Sequence, residues 1–172
     1  ATAYSMIVNG GKKIIPEMIE KIQDRNGKII HRRDTRVCSY CKLDINQNTD
    51  IKNIAVPFLE DIKEPIIDPA TAYQITYMLQ GVVDRGTAIR ARSVDKIIGG
   101  KTGTTNNSYD SWFAGFSPDL VAAVYIGFDN PKSLGSKETG SSLALPVFID
   151  FMKKALKDKP STPFRIPSSV KF

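Results

Sequence analysis

The sequence predicts an α+β fold in which an antiparallel sheet of three consecutive strands, at about residues 97–128, packs against helices. Turn residues at 106–107 and 117–119 separate β-prone runs, and consecutive strands joined by short turns pair in antiparallel fashion. Apolar residues recur at helical spacing before and after these strands. A small, separate β-hairpin is predicted nearer the N-terminus.

The composition fits one folded domain and disfavours several classes of site. The 172 residues are 41% hydrophobic with a net charge of +6, so a core can form and disorder is disfavoured. The longest strictly apolar run, Leu120–Ile126, is too short to span a bilayer. One histidine and two cysteines disfavour a Ser-His-Asp triad and a metal site. A pI near 9.3 favours anionic surroundings, such as nucleic acid, anionic lipid or an acidic wall polymer.

The N-terminal region predicts a short helix followed by a hairpin. Residues Ala1–Val8 have a helical pattern, and the segment 9–11 (Asn-Gly-Gly) is a typical helix end. No N-cap residue precedes the helix, so we expect the chain to be the C-terminal piece of a longer protein. Asn26 and Gly27 separate two β-prone runs and predict a hairpin turn in which both residues can take positive φ.

A polar segment without periodicity follows, and we place an insertion loop at about residues 33–67. Cys38 and Cys41 lie within it. A thioredoxin-like redox site would place such a pair after a strand and at the start of a helix, and that context is missing. A loop with free thiols and a Cys38–Cys41 disulfide in an oxidising compartment both stay open.

Asp68 and Pro69 predict the start of a helix over about residues 69–84, since aspartate accepts from free helical N–H groups and proline suits the first turn. Gly86 predicts its end. The predicted buried face of this helix consists of Ala72, Ile75, Leu79, Val82 and Val83.

Three strands are predicted after this helix. The first contains the segment 101–104. The second alternates, with Trp112, Ala114 and Phe116 on one face. The third, Leu120–Phe128, is apolar on both faces, which predicts a central strand covered on both sides.

A final helix is predicted after Ser141 or Ser142, since either serine can cap its first turn. Its predicted buried face consists of Leu145, Phe148, Met152 and Leu156. Residues 159–172 contain three prolines and predict an extended tail, so the domain is expected to cover 1–158.

The segment Lys101-Thr102-Gly103-Thr104 carries the strongest chemical signal. An ammonium and two hydroxyls sharing one strand face suit a carboxylate, and Gly103 lets a ligand backbone approach closely. An ordinary surface strand with polar side chains is the alternative. A phosphate-binding P-loop is disfavoured, because Asp95 stands where that motif requires glycine and poor helix formers follow.

Several segments of the chain agree with one known family. They are 101–106, 110–121 and 125–129, together with 3–11, 79–88, 145–148 and 151–152. Taken together, these segments resemble the C-terminal part of the transpeptidase domain of class A penicillin-binding proteins. The resemblance covers nearly everything except about residues 33–62.

The resemblance implies a partial β-lactamase/transpeptidase-like fold and part of a peptidoglycan D,D-transpeptidase. In this family a serine attacks the D-Ala-D-Ala bond of a stem peptide, D-Ala leaves, and the acyl group passes to an amine of a neighbouring stem. By the same resemblance, Lys101 supplies positive potential and assists proton transfer. Thr102 and Thr104 bind the substrate carboxylate beside Gly103, and the backbone N–H of Thr104 is one oxyanion donor. No cofactor and no metal are implied.

The resemblance also implies the setting of the parent protein. We expect a membrane anchor and a glycosyltransferase domain elsewhere in that protein, on the periplasmic face of a bacterial inner membrane. The expected partners are stem peptides ending in D-Ala-D-Ala, β-lactams and the upstream part of the same protein, with no nucleic acid. The isolated chain is also expected to self-associate through an uncovered sheet edge.

The family's nucleophile motif is not recognisable in its proper place. Ser93 and Lys96 match S-x-x-K in spelling, but an extended segment would separate their side chains by about 10 Å. The triplet 108–110 (Ser-Tyr-Asp) matches a second family motif but follows Lys101 instead of preceding it. We therefore expect the chain alone to be inactive. The alternatives are a non-catalytic module that binds wall peptide or polymer and, less favoured, a P-loop-like nucleotide binder.

Overall fold

The computed structural model describes residues 1–36, 59 and 61–171. The chain divides into two compact units, one formed by residues 1–14 and 65–172 and the other by residues 15–64. The helices and strands, in chain order, are α1 (Thr2–Val8), β1 (Lys21–Gln23), β2 (Ile29–Arg32), α2 (Pro69–Arg85), β3 (Gly99–Thr104), β4 (Asp110–Phe116), β5 (Val121–Gly127) and α3 (Leu145–Ala155). The predicted α+β class is confirmed.

The larger unit contains the predicted antiparallel meander, with strand order β3-β4-β5. The middle strand of the described sheet is β4, so the prediction that the third strand is central is wrong. Short turns pair each strand with its neighbour in sequence, which places β4 in the middle. On one face of β5, Ala122, Val124 and Ile126 pack against the core. Apolar composition on both faces therefore does not require cover on both faces.

The core lies between α3 and one face of the sheet. The rings of Phe113 on β4 and Phe148 on α3 meet at a centroid distance of 4.6 Å, and both side chains are fully buried. The predicted apolar face of α3 is confirmed, since Leu145, Phe148, Met152 and Leu156 are all buried.

The opposite face of β4 is covered only at one end. Phe116 is buried by contacts with Tyr4 of α1 and Phe164 of the C-terminal segment, at ring distances of 6.0 and 5.4 Å. Trp112 shares that face, as predicted, but 43% of its surface is exposed. The alternating pattern identified the face that Trp112 and Phe116 share, while the deeper core lies on the Phe113 side.

The helix α2 confirms its predicted start and extends one residue beyond the predicted end. The Asp68 carboxylate accepts a hydrogen bond from the Thr71 amide at 2.9 Å, and Gly86 follows the last turn. The N-terminal end of α3 differs from the prediction. A π-helical turn, Gly140–Ala144, precedes α3, and its cap is Thr139 instead of Ser141 or Ser142. Ser142 instead accepts the Thr139 amide at 2.8 Å, as the second half of a capping box.

The smaller unit contains the predicted hairpin of β1 and β2. Gly27 has φ of +82°, whereas Asn26 does not take a positive φ. The amides of Asn26 and Lys28 instead donate to the Asp24 carboxylate, each at 2.8 Å. The aspartate organises the turn through its side chain, so one left-handed residue is sufficient. Cys38, Cys41 and most of the predicted insertion loop lie outside the described residues.

The contact between α3 and β4 generates a stability prediction. Replacing Phe148 by alanine is expected to lower the free energy of unfolding by about 3–5 kcal/mol, because the ring is fully buried against Phe113. Phe151 on the same helix is 48% exposed, and its alanine variant is expected to lose about 1 kcal/mol or less. Urea denaturation followed by circular dichroism measures both; equal losses would contradict this account of the core.

Candidate active site

The register of β3 against β4 determines which side chains share a face. Lys101 pairs with Ala114, Thr102 with Phe113, and Thr104 with Ser111. Thr102 and Thr104 therefore share the face that carries Phe113, while Lys101 is on the opposite face. The expectation that all three share one face is wrong, because side chains of adjacent strand residues alternate across the sheet.

The Lys101 ammonium nevertheless reaches the hydroxyl of Thr102. Its Nζ donates to the Thr102 carbonyl oxygen at 2.9 Å and to Thr102 Oγ1 at 3.4 Å. Lys101 is exposed, and β3 is an outer strand of the described sheet, so the long side chain can curve around the strand edge. The length of the lysine side chain thus brings the ammonium to the Thr102 hydroxyl, although the two residues are on opposite faces of the strand.

Thr102 is positioned by a residue that sequence reasoning did not identify as part of the site. Its Oγ1 lies 3.1 Å from Oγ1 of Thr87, which follows the C-terminal end of α2. This hydroxyl pair connects the exit of α2 to the middle of β3. The only sequence signal for this contact is that residues 79–88, which include Thr87, resemble a family segment.

Thr104 is positioned by the π-helical turn Gly140–Ala144. The Gly140 amide donates to Thr104 Oγ1 at 3.0 Å. The hydroxyl therefore acts as acceptor towards the turn, and its own proton is available to donate elsewhere. The side chain of Thr104 is exposed, so that donor faces the accessible side of the strand.

A glycine is required at position 140 by the close approach of the turn to the sheet. A Cβ atom there would overlap the Trp112 carbonyl oxygen and lie 2.7 Å from the Gly103 carbonyl oxygen. The backbone of the turn therefore lies directly on β3 and β4. From the sequence this segment was predicted only to cap the final helix, because no local pattern shows which strands it contacts.

The segment after Thr104 excludes the P-loop alternative. A P-loop requires a helix directly after the Gly-Lys-Thr sequence, so that its amides bind phosphate. Here β3 continues through Thr104 and is followed by a short 3-10 turn, in which Asn107 and Ser108 have φ of +59° and +52°. This turn leads into β4. Ser108 thus belongs to the hairpin that follows the Lys101 strand.

The Ser93–Lys96 pair does not have the geometry of a nucleophile motif. Ser93 lies in a 3-10 turn, Ile89–Val94, and Asp95 has a left-handed φ of +58° that ends it. The segment is therefore turned and not extended as expected, yet the two residues still do not lie on one α-helical face. Lys96 Nζ donates to the Lys159 carbonyl oxygen at 2.6 Å, so its ammonium binds the C-terminal segment.

An aromatic row crosses the sheet beside the site, on the face opposite Thr104. Gly103 pairs with Trp112, which pairs with Tyr125, and the two aromatic rings are 4.6 Å apart. The Tyr125 hydroxyl donates to Asp110 Oδ1 at 3.0 Å, and this hydrogen bond raises the pKa of Tyr125. The contact therefore stabilises the fold below the ordinary tyrosine pKa of about 10 and is lost as the pH rises through the raised value.

Residues 1–36, 59 and 61–171 contain no cluster of three histidine, cysteine or acidic side chains arranged to hold a metal ion. In the same residues, no helix has the length and apolar character needed to cross a membrane.

Comparison with known families identifies a domain over most of the chain. The model for the penicillin binding protein transpeptidase domain matches residues 1–153. Penicillin-binding protein 1A of Rickettsia felis is 52% identical over 170 residues, which are 99% of this chain and 21% of that protein. Penicillin-binding protein 1A of Neisseria gonorrhoeae is 39% identical over 171 residues, covering 99% of this chain and 19% of that protein. The chain thus spans about a fifth of the length of these relatives.

Solved structures agree with this comparison. A crystal structure of penicillin-binding protein 1A from Haemophilus influenzae superposes with a TM-score of 0.76 at 34% identity, covering 97% of this chain and 27% of that one. The D,D-transpeptidase domain of a peptidoglycan glycosyltransferase from Eggerthella lenta gives a TM-score of 0.58 at 21% identity, covering 91% of this chain and 31% of that one. The second similarity supports the fold alone.

Proposed function

The chain belongs to the penicillin-binding protein transpeptidase family, and we propose that it forms the Lys-Thr-Gly wall of a peptidoglycan D,D-transpeptidase active site. The observation that carries the proposal is that the Lys101 ammonium contacts the Thr102 hydroxyl on an exposed strand whose Thr104 hydroxyl can also donate. Lys101 Nζ lies 3.4 Å from Thr102 Oγ1, and the Thr104 hydroxyl keeps its proton for a ligand. Such a set suits a substrate carboxylate.

The proposed reaction is acyl transfer through a serine that the rest of the protein supplies. The serine oxygen attacks the carbonyl carbon of the D-Ala-D-Ala bond as its proton passes to a base. The C–N bond then breaks, and D-Ala leaves as a protonated amine. An amine of a neighbouring stem peptide attacks the resulting ester, which releases the serine and forms the crosslink. Both halves pass through an oxyanion that needs hydrogen-bond donors.

Each residue of the wall has a proposed role in this reaction. Lys101 supplies positive potential and assists proton transfer at the serine. Thr102 and Thr104 donate to the terminal carboxylate of the stem peptide, and the Thr104 backbone N–H is one of the oxyanion donors. Gly103 has no side chain, so the extended substrate can approach the outer edge of β3 and pair with it as an added strand.

The proposal extends to the organisation of the parent protein. Residues 1–158 form the C-terminal portion of the transpeptidase domain, with an insertion at about 33–67 and a tail at 159–172. A membrane anchor and a glycosyltransferase domain belong to other parts of the protein, which acts on the periplasmic face of the inner membrane. Its partners are stem peptides ending in D-Ala-D-Ala, and β-lactams acylate the same serine.

The role of Lys101 is tested by the K101A variant of the full-length protein. Acylation by a fluorescent penicillin is expected to slow by about a hundredfold or more, because the ammonium acts where charge develops during acyl transfer. The midpoint of thermal unfolding is expected to change little, since Lys101 is exposed. Stopped-flow fluorescence and thermal denaturation measure the two quantities.

A matched control for this variant is K154A. Lys154 is an exposed lysine whose hydrogen bond to Asp150 lies on α3, away from β3. Its replacement is expected to leave acylation unchanged. Equal and small effects of both substitutions would reduce the Lys-Thr-Gly segment to an ordinary surface strand. Retained penicillin binding without any acylation in the unmodified protein would favour the non-catalytic binding module.

The isolated chain is expected to form no covalent adduct with penicillin. No acyl-enzyme can form without an activated nucleophile, and Lys96 is bound to the Lys159 carbonyl instead of activating Ser93. Intact mass spectrometry after incubation with excess benzylpenicillin gives the result directly. A stoichiometric adduct on Ser93 would contradict this assignment.

The isolated chain is also expected to self-associate. Trp112 on β4 and Tyr125 on β5 are 43% and 51% exposed on one face of the sheet, and β5 is an outer strand of the described sheet. Free N–H and C=O groups on an outer strand pair readily with another chain, and each 100 Å² of apolar surface buried contributes about 2.5 kcal/mol. Light scattering over a concentration series measures the association. A monomer at every concentration would contradict it.

A further inference from the structure

A buried serine lies directly across the sheet from Thr104. Ser111 on β4 is the register partner of Thr104 on β3, and its exposed fraction is 0%. Both hydroxyls contact the same π-helical turn, Gly140–Ala144, with its cap residue Thr139. We propose that Ser111 and Gly140 are positioning residues, which hold the Thr104 hydroxyl in the orientation that donates to the substrate carboxylate. The inference rests on the proposed function of Thr104.

Ser111 uses its hydroxyl to hold the turn at two points. Its Oγ donates to the Thr139 carbonyl oxygen at 3.0 Å and accepts from the Ala144 amide at 3.3 Å. These partners stand at the cap and at the last residue of the turn. One side chain from β4 therefore connects both ends of the turn to the sheet. Ala144 is fully buried, so the bond from its amide to Ser111 joins the turn to the sheet inside the core.

Gly140 transmits this placement to Thr104. Its amide donates to Thr104 Oγ1 at 3.0 Å, and the absence of a side chain lets the turn lie on the backbone of Gly103 and Trp112. Because the amide occupies one acceptor position of the hydroxyl, rotation about the Thr104 C–O bond is biased towards placing the proton away from the turn. That direction is the accessible side of β3.

The turn is also held together by hydrogen bonds among its own residues. The Thr139 amide donates to Ser142 Oγ at 2.8 Å and the Ser142 amide to Thr139 Oγ1 at 3.3 Å, while the Ser142 hydroxyl contacts Glu138 Oε2 at 2.6 Å. We therefore expect the turn to keep its shape when it shifts. Loss of the Ser111 contacts is expected to shift the whole turn, including the Gly140 amide, relative to Thr104.

The residue that follows the same strand offers a matched control. Ser117, directly after β4, is 2% exposed and accepts from the Asp119 and Leu120 amides at 3.2 and 3.1 Å. It is thus a second buried serine that satisfies backbone amides, but it lies at the opposite end of β4 from Thr104. A structural contribution is common to both serines, whereas the proposed positioning role belongs to Ser111 alone.

The test compares S111A, S117A and T104V in the full-length protein. The second-order rate constant for acylation by a fluorescent penicillin and the midpoint of thermal unfolding are measured for each. S111A is expected to slow acylation about tenfold, which corresponds to about 1.4 kcal/mol. S111A and S117A are expected to lower the unfolding midpoint by similar amounts, because each removes a buried hydroxyl that satisfies a backbone amide. S117A is expected to leave acylation unchanged. If S111A does not fold, S111C replaces it, because a thiol is a weaker donor and acceptor.

The double variant T104V/S111A separates action through Thr104 from an independent effect. If Ser111 acts by orienting that hydroxyl, the serine substitution slows acylation little once the hydroxyl is absent. Equal slowing by S111A with and without T104V would overturn the inference, as would an S111A variant that behaves like S117A. Unchanged acylation in both T104V and K101A would instead show that the proposed function is wrong.

Discussion

The packing of α3 against β4, through Phe148 and Phe113, is the contact on which the candidate site depends. The turn Gly140–Ala144 leads directly into α3, so the position of the helix on the sheet determines where the turn lies. The two rings are fully buried at 4.6 Å, and this apolar contact provides the positional precision for hydrogen bonds that are individually weak. A polar wall on an outer strand is thus held in place from the core behind it.

The side chains of β3 alternate between two faces, yet Lys101 and the two threonines can act on one ligand. Thr102 and Thr104 point to the side of the turn and Lys101 to the other, so the hydroxyls are braced by Thr87 and Gly140 while the ammonium is free to curve around the edge. A central strand could not do this, because neighbouring strands would block the path of the lysine. The outer position of β3 in the described sheet is therefore part of the chemistry of the wall.

The sequence predicted the elements whose signals are local. Asp68 and Pro69 marked the start of α2, the turn residues between strands indicated the meander, and the apolar spacing of α3 identified its buried face. The contacts that the sequence did not predict around Thr104 have one physical cause. The Thr104–Gly140 and Ser111–Ala144 contacts join residues far apart in the chain, and no periodicity encodes them. The apolar composition of β5 likewise reports hydrophobicity without reporting which elements cover the strand.

The Ser93–Lys96 segment shows why a match to a sequence motif is weaker evidence for a catalytic site than backbone geometry. A spacing of three residues places two side chains on one face of a continuous helix, because it completes about one turn of an α-helix or a 3-10 helix. A 3-10 turn ended by a left-handed residue breaks this relation, and the lysine finds a backbone carbonyl as its partner. The Lys101 segment differs because it is supported at several levels: the strand continues, the adjacent hydroxyls have partners, and the turn that braces Thr104 requires the glycine present at position 140. Agreement among strand geometry, hydrogen bonding and close packing distinguishes a functional site from a chance match to a sequence motif.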